Sequence, residues 1–302
     1  MRFKKLDMNL LAALDILIRT RSVSQSADEM CITQSAMSNA LGRLRTFFDD
    51  PLLVQVGRRM ELSPLAESLA GPVRDIIVRV ESAVLLNPTF DAETSSREFS
   101  IVLSDYSLAT IGPAIARLAA TEAPGVRLNF RPQHTHPYQF LERGETDLVI
   151  APAYLCPDTH PSETLFDDPL MVIACAEGPY AQGISHDAFA AAPHVMMEPN
   201  SGHQSYSAQV LDRLDITPRV LLSTYAFASI PDMIRRTDHI ALVQGRLADI
   251  ALRQGGIVAH EPPVDCPSLT QAMQWHRLRS RDPALAWLRA IIQRAANNAS
   301  QK

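Results

Sequence analysis

Residues 22–62 read SVSQSADEMCITQSAMSNALGRLRTFFDDPLLVQVGRRMEL. The first half divides into two short helices broken at Cys31 to Thr33, with Thr33 placed as the N-cap of the second. Met30, Ile32, Met37, Ala40, Leu41 and Leu44 recur at helical spacing and make a seam to be buried. Ala27 is small where the two helices must approach closely. Gln34, Ser35, Ser38, Asn39 and Arg43 are then left on the outer face, a hydrogen-bonding surface of the kind a groove-reading helix presents. Two short apolar segments follow, Leu52 to Val56 and Met60 to Leu62, and flank Gly57, Arg58 and Arg59 at the tip of a hairpin, read as a wing.

On the N-terminal side, Leu6, Leu10, Leu14, Leu17 and Ile18 recur at steps of three and four, which predicts a one-sided helix in need of a partner. On the other side, Pro64 suits the first turn of a helix. Along it Leu65, Leu69, Val73, Ile76, Val80 and Val84 form a stripe that points to self-association. Gly71-Pro72 is expected to kink or break that helix.

From Arg97 the pattern changes to short apolar strands alternating with helices, the rhythm of a parallel α/β sheet. REFSIVLSDY, VRLNFRP and DLVIAP read as strands, with SLATIGPAIARLAA and PYQFLERGE as the helices between them. A second unit runs through PLMVIACAE, HDAFAAAP, HVMMEP, RVLLST, a helix from Phe227 to Arg236, HIALVQGRLADIAL and GIVAHEPP. The last segments, LTQAMQWH and PALAWLRAIIQRA, are placed to cross back and complete the sheets. Trp275, His276 and Trp287 are read as packing residues.

Composition narrows the function. A chain of 302 residues suits two or three compact units. No run approaches eighteen apolar residues, and the charged N-terminus is unlike a secretory segment, so a cytoplasmic protein without a membrane partner is expected. Residues 1–64 hold nine Lys/Arg against seven Asp/Glu, net +2, whereas the rest holds 19 against 26, net −7, an asymmetry that favours an N-terminal polyanion partner. The four cysteines, Cys31, Cys156, Cys175 and Cys266, form no CxxC pair and no metal-like cluster with histidine, so reduced, mostly buried thiols are expected, with no metal. An enzyme is the rival reading, yet no G-x-S-x-G, H-E-x-x-H, P-loop or G-x-G-x-x-G is present, and neither catalytic residues nor a cofactor are expected. A second rival places the trigger in oxidation of Cys156 and Cys175, although nothing beside either in sequence marks a thiolate.

The segments SVSQSADEM, CIT, QSAMSNALGRLR and DPLLVQVGRRMELSPLAE, with the helix beyond them, resemble the LysR-type transcription regulators. DLVIAP, PDMIRRTDHIALVQGRLADIA and MQWHRLRSRDPALAWLRAII are similar to the branch of nodulation regulators and activators of aromatic-compound degradation, so the resemblance covers nearly the whole chain. It implies a winged helix–turn–helix over 1–63, a dimerising linker helix over 64–90 and an effector domain over 91–302. That domain would resemble the two-lobed periplasmic binding proteins, with 91–153 plus about 268–302 as one lobe and 154–267 as the other. By match of position, Gln34, Ser35, Ser38 and Asn39 would approach base edges, Gln34 foremost, while Thr33, Arg43, Arg58 and Arg59 would hold phosphate or the minor groove. Two departures stand out: many members have Pro where Ser35 stands, and Asn or Gly where Cys31 stands.

In a two-lobed α/β receptor, ligands sit at the C-terminal ends of strands and between lobes. That rule selects Ser104, Asp105 and Tyr106 after the first strand, Arg131, Gln133 and His134 after the second, and Pro152 at the hinge. From the second lobe it selects Gly202, His203, Tyr225, Phe227 and Gln244. Ser, Gln and His beside aromatic rings suit a small ring bearing polar groups. The implied partners are double-stranded promoter DNA, a small aromatic inducer, RNA polymerase and further copies of the chain in a homotetramer arranged as a dimer of dimers.

Overall fold

The computed structural model describes residues 8–57, 59–84, 89–133, 136–198 and 204–298. The chain divides into two compact units, one built on residues 1–86 and the other on residues beyond them.

In the first unit, α1 (Met8–Thr20), α2 (Val23–Glu29) and α3 (Gln34–Phe48) precede a hairpin of β1 (Leu53–Val56) and β2 (Arg59–Leu62), and α4 (Pro64–Val84) closes it. Leu10, Leu14 and Leu17 of α1 meet Met37, Leu41 and Leu44 of α3 in one core, with Ala27 buried between the helices. The Ser22 hydroxyl caps α2 by accepting from Gln25 N, and the Thr33 hydroxyl caps α3 by accepting from Ala36 N at 3.2 Å. Between them Cys31 takes the left-handed conformation, φ 54°. That turn carries Ile32 out of the expected seam and leaves it 38% exposed. Met30 and Ala40 are only half-buried at the core's edge.

The base of the wing is tied by side chains. Asp50 accepts from Leu52 N at 2.7 Å and from the Ser63 hydroxyl, which in turn caps α4 by accepting from Ala66 N. Arg45 donates from α3 to the carbonyls of Pro51 and Leu53. Val56 pairs with Arg59, so Arg59 opens β2 rather than forming the tip, and Arg58 lies outside the described residues.

Two expectations bear on α4, a kink or break at Gly71-Pro72 and an apolar stripe along its length. Pro72 sits inside it without breaking it. Of the stripe, Val73 is buried in the unit's own core with Leu69 beside it, as is the neighbouring Ile77, whereas Ile76 is exposed. Leu6 and the side chain of Val84 lie outside the described set.

The second unit holds two five-stranded sheets, each the centre of a lobe. The first has the order β4 (Arg127–Pro132), β3 (Glu98–Leu103), β5 (Leu148–Pro152), β12 (Leu269–Trp275) and β6 (Ser162–Asp168). Phe99, Ile101 and Leu103 face a core completed by α5 (Asp105–Glu122) and α11 (Pro283–Asn298), and Val102 faces the opposite side, the period of two that a strand imposes. The second sheet has the order β11 (Ile257–His260), β7 (Leu170–Cys175), β10 (Ile240–Gln244), β8 (Pro193–Met197) and β9 (Arg219–Thr224). Helices α9 (Ile230–Ile234) and α10 (Gly245–Gln254) cover one face; α7 (His186–Ala191) and α8 (Tyr206–Arg213) cover the other.

Both sheets are mixed rather than parallel. β12 runs antiparallel to β5 and β6, and β7 runs antiparallel to β10 and β11. Two elements escaped the sequence pattern, β6 and α8, and the expected helix from Phe227 to Arg236 is a 3₁₀ turn at Phe227–Ser229 followed by the short α9. Because β6 pairs with β12, residues 162–168 join the first sheet, and the chain crosses to the second lobe after Asp168, not at the expected boundary of 153 and 154. Trp275 is buried in the first core with its indole N–H donating to the Ser280 hydroxyl, and Trp287 packs on Phe90 and Phe99.

Candidate nucleic-acid interface and effector cavity

On α3 the apolar positions Met37, Leu41 and Leu44 turn inward, which by helical geometry sends Gln34, Ser35, Ser38, Asn39 and Arg43 to the exposed side. Thr33 is exposed at the head of that face, its hydroxyl occupied by the cap and by Ser35 Oγ at 3.0 Å. Arg59 is exposed on the wing. The face therefore offers amides, hydroxyls and guanidinium groups on a rigid helix backed by a packed core.

In the second unit a cavity of about 550 Å³ opens between the lobes. The first lobe contributes Ser104, the N-cap of α5, with Asp105 and Tyr106 of its first turn, Gln133 after β4, Pro152 at the end of β5, Tyr154 beyond it, and Gln271 of β12. The second contributes Gln204 to Tyr206 and Gln209 of α8, Tyr225 and Phe227 after β9, and Gln244 at the end of β10. The mouth is aromatic: Tyr154 and Tyr206 stack with ring centroids 5.9 Å apart, and Tyr225 is 72% exposed.

The floor is polar and buried. Gln244 and Gln271 are 2% and 1% exposed, and their side-chain oxygens, with that of Gln133, accept no hydrogen bond. Tyr106, 1% exposed, lies edge-on to Phe227 and donates its hydroxyl to Asp168 at the crossover. Burial first, then the neighbouring carboxylate, pushes the Tyr106 phenol far above its ordinary range, so it stays a donor. Burial also raises the Asp168 carboxyl, against the pull of Tyr106 and of Arg246, whose backbone N–H donates to Asp168 at 3.1 Å. Arg246 in turn donates to the Ala296 carbonyl and stacks over Phe166. A second tie crosses the lobes where Ala228 N donates to Asp105 Oδ2 at 3.0 Å.

Of the effector residues expected from sequence, Ser104, Asp105, Tyr106, Gln133, Pro152, Tyr225, Phe227 and Gln244 line this one cavity. Arg131 does not: its guanidinium donates to the Glu145 carbonyl and lies over the Phe140 ring. His134, Gly202 and His203 lie outside the described residues. Sequence reading missed Tyr154, Tyr206, Gln209 and Gln271. The available signal for Gln271 was a polar side chain inside the otherwise apolar LTQAM; for Tyr206 it was Ser205 as the N-cap of an unrecognised helix.

All four cysteines are free, but only Cys175 is buried, and Cys31 is exposed, which corrects the expectation of mostly buried thiols. Burial pushes the Cys156 thiol up to about 11, away from the thiolate a redox trigger requires. Among the described residues no helix is long and apolar enough to cross a membrane.

Residues 8–67 match the family model described as bacterial regulatory helix-turn-helix protein, lysR family, and residues 92–297 match that of the LysR substrate binding domain. Nodulation protein D of Bradyrhizobium sp. (strain ANU 289) is 33% identical over 305 residues, covering 99% of this chain and 89% of that protein. Among solved structures, a probable transcriptional regulator from Pseudomonas aeruginosa is 26% identical with a TM-score of 0.64, covering 96% of this chain and 97% of the other. Full-length LysG from Corynebacterium glutamicum with bound effector Arg shares the fold, with a TM-score of 0.66 at 20% identity over 97% of this chain and 99% of that one.

Proposed function

Since the chain belongs to the LysR family of transcriptional regulators, we propose that it activates a promoter by reading DNA with α3 and answering a small aromatic effector held between its lobes. The observation that carries the DNA half is the exposed polar face of α3 above a buried apolar one. In this reading Gln34 makes the principal base contact, with Ser35, Ser38 and Asn39 beside it. Thr33, Arg43, Arg58 and Arg59 hold the backbone and fix register without reading sequence. The linker helix and effector domain assemble four copies as a dimer of dimers, and the bound tetramer engages RNA polymerase.

The effector half is supported by the cavity, whose volume suits a small molecule and whose mouth is tyrosine-rich. Similarity to a nodulation protein D and a fold shared with a regulator bearing bound effector Arg agree with it. A ligand there can bias the lobes only by binding two arrangements unequally. Its leverage falls on the ties that join them, Ala228 to Asp105 and the Tyr106–Asp168–Arg246 set.

The test is a gel-shift titration on DNA immediately upstream of the protein's own gene. Gln34→Ala is expected to weaken specific retention about 5- to 100-fold, the loss of one good base contact, and one ring compound is expected to alter the footprint. No specific retention in moderate salt would remove the DNA reading.

A further inference from the structure

The cavity floor specifies more about the effector than its size. Gln244 ends β10 of the second lobe, opposite Leu170, and Gln271 lies in β12 of the first lobe, opposite Pro152. The two carboxamides thus reach one cavity from different sheets, both almost fully buried, and neither side-chain oxygen has a hydrogen-bond partner. Buried polar groups are normally satisfied, so two cavity-lining carboxamides whose oxygens have no partner are groups that an occupant can engage by turning them toward it. A carboxamide both donates and accepts, and this holds whichever way each amide is turned. Its complement is a group that does the same, a hydroxyl or a primary amide.

Charge points the same way. Among the described residues lining the cavity, none is Lys, Arg or His, and the one charged residue, Asp105, is acidic. Asp105 also occupies the first turn of α5, where the helix dipole would otherwise welcome an anion. Among the described residues lining it, an aromatic carboxylate entering here would lose its water, meet no cationic side chain and face a fixed acid. The aromatic mouth, by contrast, offers flat apolar surface to an uncharged ring.

We propose that the effector is an uncharged ring compound carrying a hydroxyl or primary amide, and that Gln244 and Gln271 are the residues that select it over the corresponding acid. This rests on the effector reading given above. The occupied floor would tie one sheet to the other through the ligand.

Calorimetric titration of the full-length protein near pH 7.5 with matched probes, salicylamide against salicylate and catechol against benzoate, tests it. The neutral member of each pair is expected to bind at least tenfold tighter, and Gln244→Met and Gln271→Met each to weaken it about tenfold or more, the equivalent of one hydrogen bond of about 1.4 kcal/mol. Methionine keeps the volume and removes the buried orphan, so neither variant is expected to unfold earlier on heating. Tighter binding of the acids would overturn the inference while leaving an aromatic effector in place. Equal affinities in wild type and both methionine variants would overturn the role of the glutamines. Absence of binding by every probe at millimolar concentration would overturn the inference, and the gel shift, which needs no effector, would then report separately on the DNA reading.

Discussion

Cys31 shows how one residue can carry a local penalty for the sake of a turn. Its φ of 54° places an L side chain in the left-handed region, where Cβ crowds the following carbonyl. Cys31→Gly is therefore expected to stabilise the first unit by about 1 kcal/mol, read as a higher urea midpoint with an unchanged slope. Ala27 is the opposite case, since 1% exposure between α2 and its neighbours leaves no room for growth. Ala27→Leu should cost about 1–3 kcal/mol by overpacking, and a circular dichroism melt would detect the loss. Tyr106 combines both roles at the cavity: Tyr106→Phe keeps the ring against Phe227 but strips a donor from the buried Asp168. A loss of about 1–3 kcal/mol is expected on chemical denaturation, because the carboxylate keeps only the Arg246 amide among these donors.

Among the elements, α4 departs most from its sequence pattern. Pro72 removes the N–H that would bond to the carbonyl four residues earlier, yet the helix runs from Pro64 to Val84 because Val73 and Ile77 anchor it in a core immediately after the proline. Tertiary burial outweighs propensity here. Pro72 is exposed, so Pro72→Ala should restore the bond without disturbing the core and stabilise the protein by about 1–3 kcal/mol, with increased helical ellipticity. A lower melting temperature instead would show that a bend at Pro72 is needed by the core. Neighbours also hold β6 and α8: β6 by register with β12, and α8 by Val210 and Leu211 against the second sheet.

Across the whole molecule, a buried imidazole and a half-buried carboxylate give acid sensitivity of the same sign. Burial pushes the His194 imidazole below its ordinary 6.5, beside a bond to the Phe189 carbonyl, so the unfolded chain takes up the proton first. Its contribution is full above about pH 6.5 and is lost as pH falls from there through the folded-state value. For Asp282, burial alone would raise the carboxyl, but Arg97 and Arg279 together hold it below 3.8. That contribution is present above the unfolded value and lost as pH falls through the folded one. Stability measured by urea unfolding should therefore decline in two steps, the first starting below about pH 6.5 and the second below about pH 4. His194→Leu should flatten the first step only; an unaltered first step in this variant would assign it elsewhere.

Sequence by itself determined the two-part plan. Helical spacing around Thr33, alternation in strands such as Phe99 to Leu103, and a polar outer face on α3 are local properties, set by covalent geometry and by which side chains water rejects. The cavity residues flanking recognisable strand ends, from Ser104 to Gln244, were legible for the same reason. Only the tertiary structure decided the strand order of the mixed sheets, the crossover after Asp168, the burial of Val73 and Ile77, and the meeting of Gln244 with Gln271 in one cavity. Each joins segments far apart in the chain, and such pairings follow from how whole faces fit and which polar groups find partners, a property of the assembled fold rather than of any stretch within it.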